Sequence, residues 1–411
     1  MKRLLPAPDS PLRNGPFLQL MAYRLGSILS YQVVAVTVGW HIYELTGNPF
    51  SLGLIGLAEV IPYFITAPFA GYLVDHVHRR TLGMLACAML GVTPLLLVAI
   101  TLQWLPTSGT GAIYAAILLT GTVRAFLGPV YNALFARVLP REQYARGAGF
   151  GSVVFQAGLV VGPALGGALT GFAGKHVAYA AAVGFALLAM VAVRTLRVTE
   201  PAPPPKLPVL RSIAEGARFV WGHQVLVAAL ALDMFAVLLG GAVALLPAFI
   251  KDILDAGPEA LGILRAAPAL GSICVASWLA RKPLEGNAGR ILLFAVAGFG
   301  LCNIGFGLST SLWLSAAFLL LSGACDGVSV VVRSTILQLA TPDEMRGRVS
   351  SINGIFIGSS NELGAFYAGS MARLLGLVPA VVLGGFATMG VAAITARKAP
   401  RLRRLDLREL Q

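Results

Sequence analysis

The chain has 411 residues, of which 57% are apolar and only 12% charged, with a mean hydropathy of +0.78. About a quarter of a soluble domain is charged, so this chain cannot coat the surfaces its length would expose to water. A disordered chain, a secreted disulfide scaffold and a cytosolic enzyme are excluded. The net charge of +13 leaves two sources: a nucleic-acid footprint, or Lys and Arg gathered in the cytoplasmic loops of a membrane protein.

A spanning helix needs about 20 mostly apolar residues. Met1-Lys2-Arg3-Leu4-Leu5-Pro6 carries no apolar core or cleavage site, so no signal peptide is expected. Apolar runs then fall near 17–45, 50–74, 81–104, 111–137, 148–173 and 177–195, and after a break near 224–250, 258–280, 290–308, 311–338, 348–374 and 377–396. The expected fold is all-α, with twelve transmembrane helices in two six-helix bundles, 1–198 and 224–396. Residues 199–223 form a cytoplasmic linker and 397–411 a basic cytoplasmic tail. The Pro-rich stretch Thr199–Pro208 should run extended. After it, Ile213, Ala217, Val220 and Trp221 share one helical face against Arg211, Glu215 and Arg218, as in a helix lying on the inner membrane surface.

Alternate connections are basic: Lys2, Arg3 and Arg13; Arg79 and Arg80; Arg137, Arg141 and Arg146; Arg194, Arg197, Lys206, Arg211 and Arg218; Arg281, Lys282 and Arg290; Arg346 and Arg348; and the tail from Arg397 to Arg408. The opposite side has Lys175, Lys251 and Arg373. The charge is therefore topological, no nucleic acid is implied, and both termini are expected in the cytoplasm. The halves also repeat: Pro140-Arg141-Glu142 corresponds to Pro342-Asp343-Glu344, Gly162 to Gly364, Gly167 to Gly369 and Leu52-Gly53 to Leu261-Gly262. Parallel repeats of this kind build many secondary transporters.

Gly71-Tyr72-Leu73-Val74-Asp75-His76-Val77-His78-Arg79-Arg80 closes the second span. It resembles the 2–3 loop signature of the major facilitator superfamily. The resemblance implies a gate loop in which Gly71 allows close helix approach and Asp75 docks on the start of span 11, near Arg346 and Arg348. No Asp stands at the matching place of the second half, Ala280–Glu285. Arg124-Ala125-Phe126-Leu127-Gly128 in span 4 is similar to the superfamily's R-x-x-x-G. Gly158, Gly162, Pro163, Gly166 and Gly167 in span 5 resemble the signature shared by its exporters and antiporters. Small residues there permit close packing, and the proline permits a kink. Val38–Gly47 and Thr341–Val349 are most similar to the enterobactin-exporter-like efflux branch, which implies export of a small molecule against a proton gradient.

Ionisable residues inside spans are costly unless they face a cavity or a partner. They are Arg24, Glu59, Arg124, Asp233, Arg265, Asp326, Arg333 and Glu362. In the repeat Arg24 corresponds to Asp233 and Arg124 to Asp326, which gives an expected inner gate pair Arg24–Asp233 and a central pair Arg124–Asp326. Arg333 shares a helical face with Asp326 and competes for it. A carboxylate beside Arg stays ionised, whereas one desolvated without a partner takes up a proton. Asp233 and Asp326 are thus the first candidates for proton coupling, Glu59 and Glu362 the second, and Na⁺ coupling through the same oxygens stays open. His41 is read as interfacial. Cys87, Cys274, Cys302 and Cys325 are read as small buried hydrophobes. Tyr31, Phe64, Tyr131, Phe235 and Phe356 would suit a planar ligand if they line the pathway.

No phosphate-binding loop, metal-ligand cluster or catalytic constellation is present in the sequence, so no cofactor and no enzymatic activity are expected. The expectation is a monomeric inner-membrane transporter exporting a small amphiphilic molecule such as a siderophore or drug. The alternatives are an importer or lysolipid flippase of the same fold, or a non-transporting sensor or scaffold.

Overall fold

The computed structural model describes residues 11–104, 109–198, 209–281, 286–342 and 345–406. The helices are α1 (Gly15–Thr46), α2 (Pro49–His76), α3 (Arg79–Thr101), α4 (Thr110–Val138), α5 (Tyr144–Phe172), α6 (Lys175–Thr195), α7 (Val209–Gly222), α8 (Gln224–Leu239), α9 (Leu246–Asp252), α10 (Pro258–Arg281), α11 (Ala288–Leu308), α12 (Leu312–Leu339), α13 (Arg346–Leu375), α14 (Leu377–Lys398) and α15 (Pro400–Arg403). Among the described residues there is no strand, and 11 helical stretches are long and apolar enough to cross a membrane. The twelfth expected span, α13, has 30 residues but falls short of that test. Ser359, Ser360, Asn361 and Glu362 in its middle make it the least apolar of the long helices.

Contacts divide the chain into two units: one within Met1–His41 and Ile61–Leu207, the other within Ile42–Val60 and Pro208–Gln411. The division differs from a simple cut at the linker, because the end of α1 and the first half of α2 cluster with the second unit. In the first unit, Phe17, Leu20, Tyr23, Leu134 and Val193 form a buried core, and α3 packs against α4 and α6. The face of α5 bearing Gly158, Gly162 and Gly166 lies on α1. A Cβ on Gly158 would stand 2.6 Å from Ile28 Cγ2, and one on Gly162 would stand 2.6 Å from Gln32 Cβ. Pro163 lies inside α5, which continues through it.

In the second unit α10 packs on α12, α11 on α14, and α8 on α13 and α14. Span 7, expected as one run from 224 to 250, is broken. It comprises α8, a 3₁₀ turn at Ala242–Leu245 and α9. The cause is local. Gly240-Gly241 has the lowest helix propensity after proline, and Pro247 can give no hydrogen bond to the carbonyl four residues back and clashes with it. The amphipathic α7 does not leave its apolar face to lipid alone. Val220 is buried, and Ala217 and Phe219 pack on the second unit's core, while Arg218 and Trp221 are exposed. The expected linker stretch 199–208 lies outside the described residues.

Candidate functional site

The charges inside the spans are held differently from the pairing the repeat predicts. Asp233 on α8 is buried and forms an ion pair with Arg333 on α12, itself 3% exposed. In the first unit the guanidinium of Arg24 stacks 3.9 Å from the centre of the Tyr131 ring and 5.1 Å from that of Phe155. Arg124 lies over Tyr31 at 4.8 Å and Tyr63 at 5.8 Å. Within the second unit, then, Asp233 is held by Arg333, and within the first Arg24 lies over aromatic rings. Arg333 serves Asp233 rather than competing for Asp326, which lies two turns earlier on α12 and is half-buried.

Glu59 and Glu362 come onto one seam. Gly56 of α2 packs against the Glu362 carbonyl of α13, and Gly53 against Phe366. The two helices run antiparallel there, so Glu59, one turn after Gly56, lies on the same side as Glu362 and within about a turn of it. Glu59 is buried and Glu362 half-buried. Arg265, on α10, is also half-buried.

The gate-loop residues fare unevenly. Among the described residues nothing lies within 4 Å of where a Cβ on Gly71 would stand. Arg79 and Arg80 begin α3, and the side chains of Asp75, Arg346 and Arg348 lie outside the described residues. His41 is buried, and its Nδ1 lies 3.1 Å from Tyr179 Oη in a hydrogen bond. Of the cysteines only Cys87 is buried; Cys274 is exposed, and Cys302 and Cys325 are intermediate. In a membrane a thiol facing lipid costs little, so the apolar surroundings do not force burial. Of the candidate aromatics, Tyr131 is covered by Arg24, Phe356 packs on the core, and Phe64 and Phe235 are exposed.

Two further arrangements escaped the sequence reading. At the break in span 7, Ala236 O accepts from Gly240 N and Gly240 O from Ala242 N, and neighbouring side chains meet the same carbonyls. Asn303 Nδ2 of α11 donates to Gly240 O at 3.2 Å, and Thr388 Oγ1 of α14 lies 3.2 Å from Ala236 O and 2.9 Å from Gly384 O; both side chains are buried. At the end of α1, Tyr43 Oη donates to the Asp252 carboxylate, with Lys251 Nζ 5.8 Å from the centre of the Tyr43 ring. Arg373 lies 5.2 Å over Phe50 nearby in sequence. A buried Asn or Thr within an apolar run is a signal for such contacts, since it must find an acceptor.

Spanning helices with buried ionisable groups, in two helical units, define a multi-pass membrane transport protein. The Major Facilitator Superfamily model matches residues 20–365, and the chain belongs to that family. It is 25% identical over 411 residues to the multidrug efflux pump Tap of Mycolicibacterium fortuitum, covering 96% of this chain and 98% of that one. It is also 25% identical over 399 residues to the enterobactin exporter EntS of Escherichia coli, covering 96% and 94%. In fold it resembles a bacterial homologue of the human lysosomal transporter Spinster, with a TM-score of 0.72, 13% identity and 98% of each chain covered. A POT family transporter crystallised with 5-aminolevulinic acid gives a TM-score of 0.74 at 10% identity, covering 94% and 96%.

Proposed function

We propose that the protein is a proton-coupled exporter of a small amphiphilic molecule, a siderophore or drug, acting as a monomer by alternating access in the bacterial inner membrane with both termini in the cytoplasm. The observation that carries this reading is the buried Asp233–Arg333 ion pair. An ion pair inside a span is costly, and it is useful where a proton arriving on the carboxylate frees the arginine. Protonation of Asp233 cancels the attraction that holds Arg333, so the pair has two states that differ in charge and in the packing of α8 on α12. Asp326, Glu59 and Glu362 offer further carboxylates for the same relay, and Arg24, Arg124 and Arg265 balance them. The efflux activities in the names of Tap and EntS favour export.

Proteoliposomes with a lumenal pH dye test it against a panel of siderophores, drugs and lysolipids. Proton movement evoked by one compound and lost in Asp233→Asn supports antiport. Equal transport in the wild type and in Asp233→Asn and Asp326→Asn, with no pH response, overturns the coupling and leaves these residues structural. A response that follows an imposed Na⁺ gradient instead assigns the coupling to Na⁺.

A further inference from the structure

The last spanning helix, α14, ends at Lys398, and α15 begins at Pro400. The tail does not leave the protein there. Ala399, Leu402 and Leu405 are buried, at 6%, 0% and 6% exposure, in one core with Leu226, Ala288 and Leu292. Gly289, in the first turn of α11, makes the docking possible. Its N–H donates to Leu405 O at 3.3 Å, and a Cβ there would stand 1.6 Å from Leu402 O. No side chain larger than hydrogen fits beneath the tail.

Docking the leucines fixes where the residues between them point. Arg401, Arg403 and Arg404 are exposed, as are Arg397 and Lys398 at the end of α14 and Arg290 beside Gly289. Between 397 and 406 the one acidic residue is Asp406, half-buried beside Gly286. We propose that this docked tail is a binding surface for anionic phospholipid headgroups. Arginines within one turn or so of a span's end stand at headgroup depth. Their planar forks suit the phosphate diester oxygens, and a segment already held in place loses little freedom on binding. Anionic leaflets attract basic residues beside a span in general. The tail differs from that general attraction in being immobilised by its own buried leucines.

The test uses the full chain in nanodiscs of phosphatidylcholine with a fluorescent phosphatidylglycerol as probe. Arg401→Gln/Arg404→Gln should weaken retention of the probe by about fivefold per arginine. Arg194→Gln/Arg197→Gln removes the same charge from two exposed residues at the end of α6 and should leave retention nearly unchanged. Gly289→Ala alters no charge but displaces the tail, and it should lose retention like the tail variant. Equal losses in the two double variants would reduce the effect to general attraction and overturn the proposal. So would full retention by a folded Gly289→Ala. If Gly289→Ala does not fold, the two double variants decide. Displacement of the probe by pyrophosphate as readily as by unlabelled phosphatidylglycerol would assign the surface to a soluble anion instead.

Discussion

Spans 1 and 7 are equivalent in the repeat and are built differently. Span 1 is one continuous helix of 32 residues, and its charge, Arg24, lies over two aromatic faces. Span 7 is interrupted at Gly240-Gly241, and its charge, Asp233, is satisfied by an arginine. Each span meets a glycine of its partner helix at a corresponding place: Gly162 on Gln32 in the first unit, and Gly364 against Val237 and Leu238 in the second. The packing template was thus kept while the chemistry diverged. A cation over a ring is insensitive to protons near neutral pH, because Arg does not lose its charge there. A carboxylate keeps its charge while an arginine stands beside it and can take up a proton once that partner withdraws. Under the function proposed above, the proton-responsive element lies in span 7, the same span whose helix is interrupted at Gly240-Gly241.

Breaking the ion pair should have the largest effect. Removing one partner of a buried pair costs about 3–5 kcal/mol, because the other charge is left uncompensated. Asp233→Asn should lower the melting temperature more than Arg333→Gln, since an orphaned carboxylate can neutralise itself by taking up a proton and an orphaned arginine cannot. The double variant should recover most of the loss. Thermal unfolding of the four proteins in one detergent checks the ranking. A double variant no better than Asp233→Asn would show that the pair's geometry, not its charge balance, supports the fold.

The glycine contacts sharpen the comparison at intermediate cost. A Cβ on Gly384 would stand 2.4 Å from Leu239 O, backbone at the end of α8, whereas one on Gly158 would meet a methyl of Ile28 at 2.6 Å. Overpacking costs about 1–3 kcal/mol. Gly384→Ala should fall at the upper end and Gly158→Ala at the lower, because a side chain can turn aside and a helix carbonyl cannot. Melting curves read this directly, and the reverse order would mean that the break lets α8 give way. The caps on the break come next. Thr388→Val and Asn303→Leu each remove a second donor from a carbonyl that keeps its backbone partner, at about 0.5–1.5 kcal/mol. Hydrogen exchange at 236–246 should quicken in both, while exchange in α1 stays as it was.

Much of this architecture is legible in the sequence, because spans are written in local runs of hydropathy. Even α13, too polar for a simple apolar test, is readable from its length and its place in the repeat. Span 7 misleads because glycine is neither strongly apolar nor polar, so Gly240-Gly241 hides within an apolar run although it ends a helix. The charge pairs mislead for a different reason. A repeat relates positions within equivalent helices, but it does not say which neighbouring helix lies against each face. Spacing puts Arg333 on the face of Asp326, and only the packing of α8 on α12 shows that Asp233 lies there to meet it. His41 stands at the apparent end of a span, and its burial follows from Tyr179, far away in sequence.

The smallest predicted effect concerns the cation over its ring. A desolvated stack of Arg on an aromatic ring contributes about 2 kcal/mol, and an exposed one about 0.5–1. Tyr131 is buried under Arg24, so Tyr131→Leu should cost an amount between these limits, whereas Tyr131→Phe keeps the ring and should be nearly silent. Neither variant should alter the pH dependence of transport, because no protonation state changes at this site. Melting temperatures and pH–flux profiles of both variants test this together. A pH profile that shifts in Tyr131→Leu would mean that Arg24 is coupled to a titrating carboxylate after all, and the contrast between spans 1 and 7 would fail.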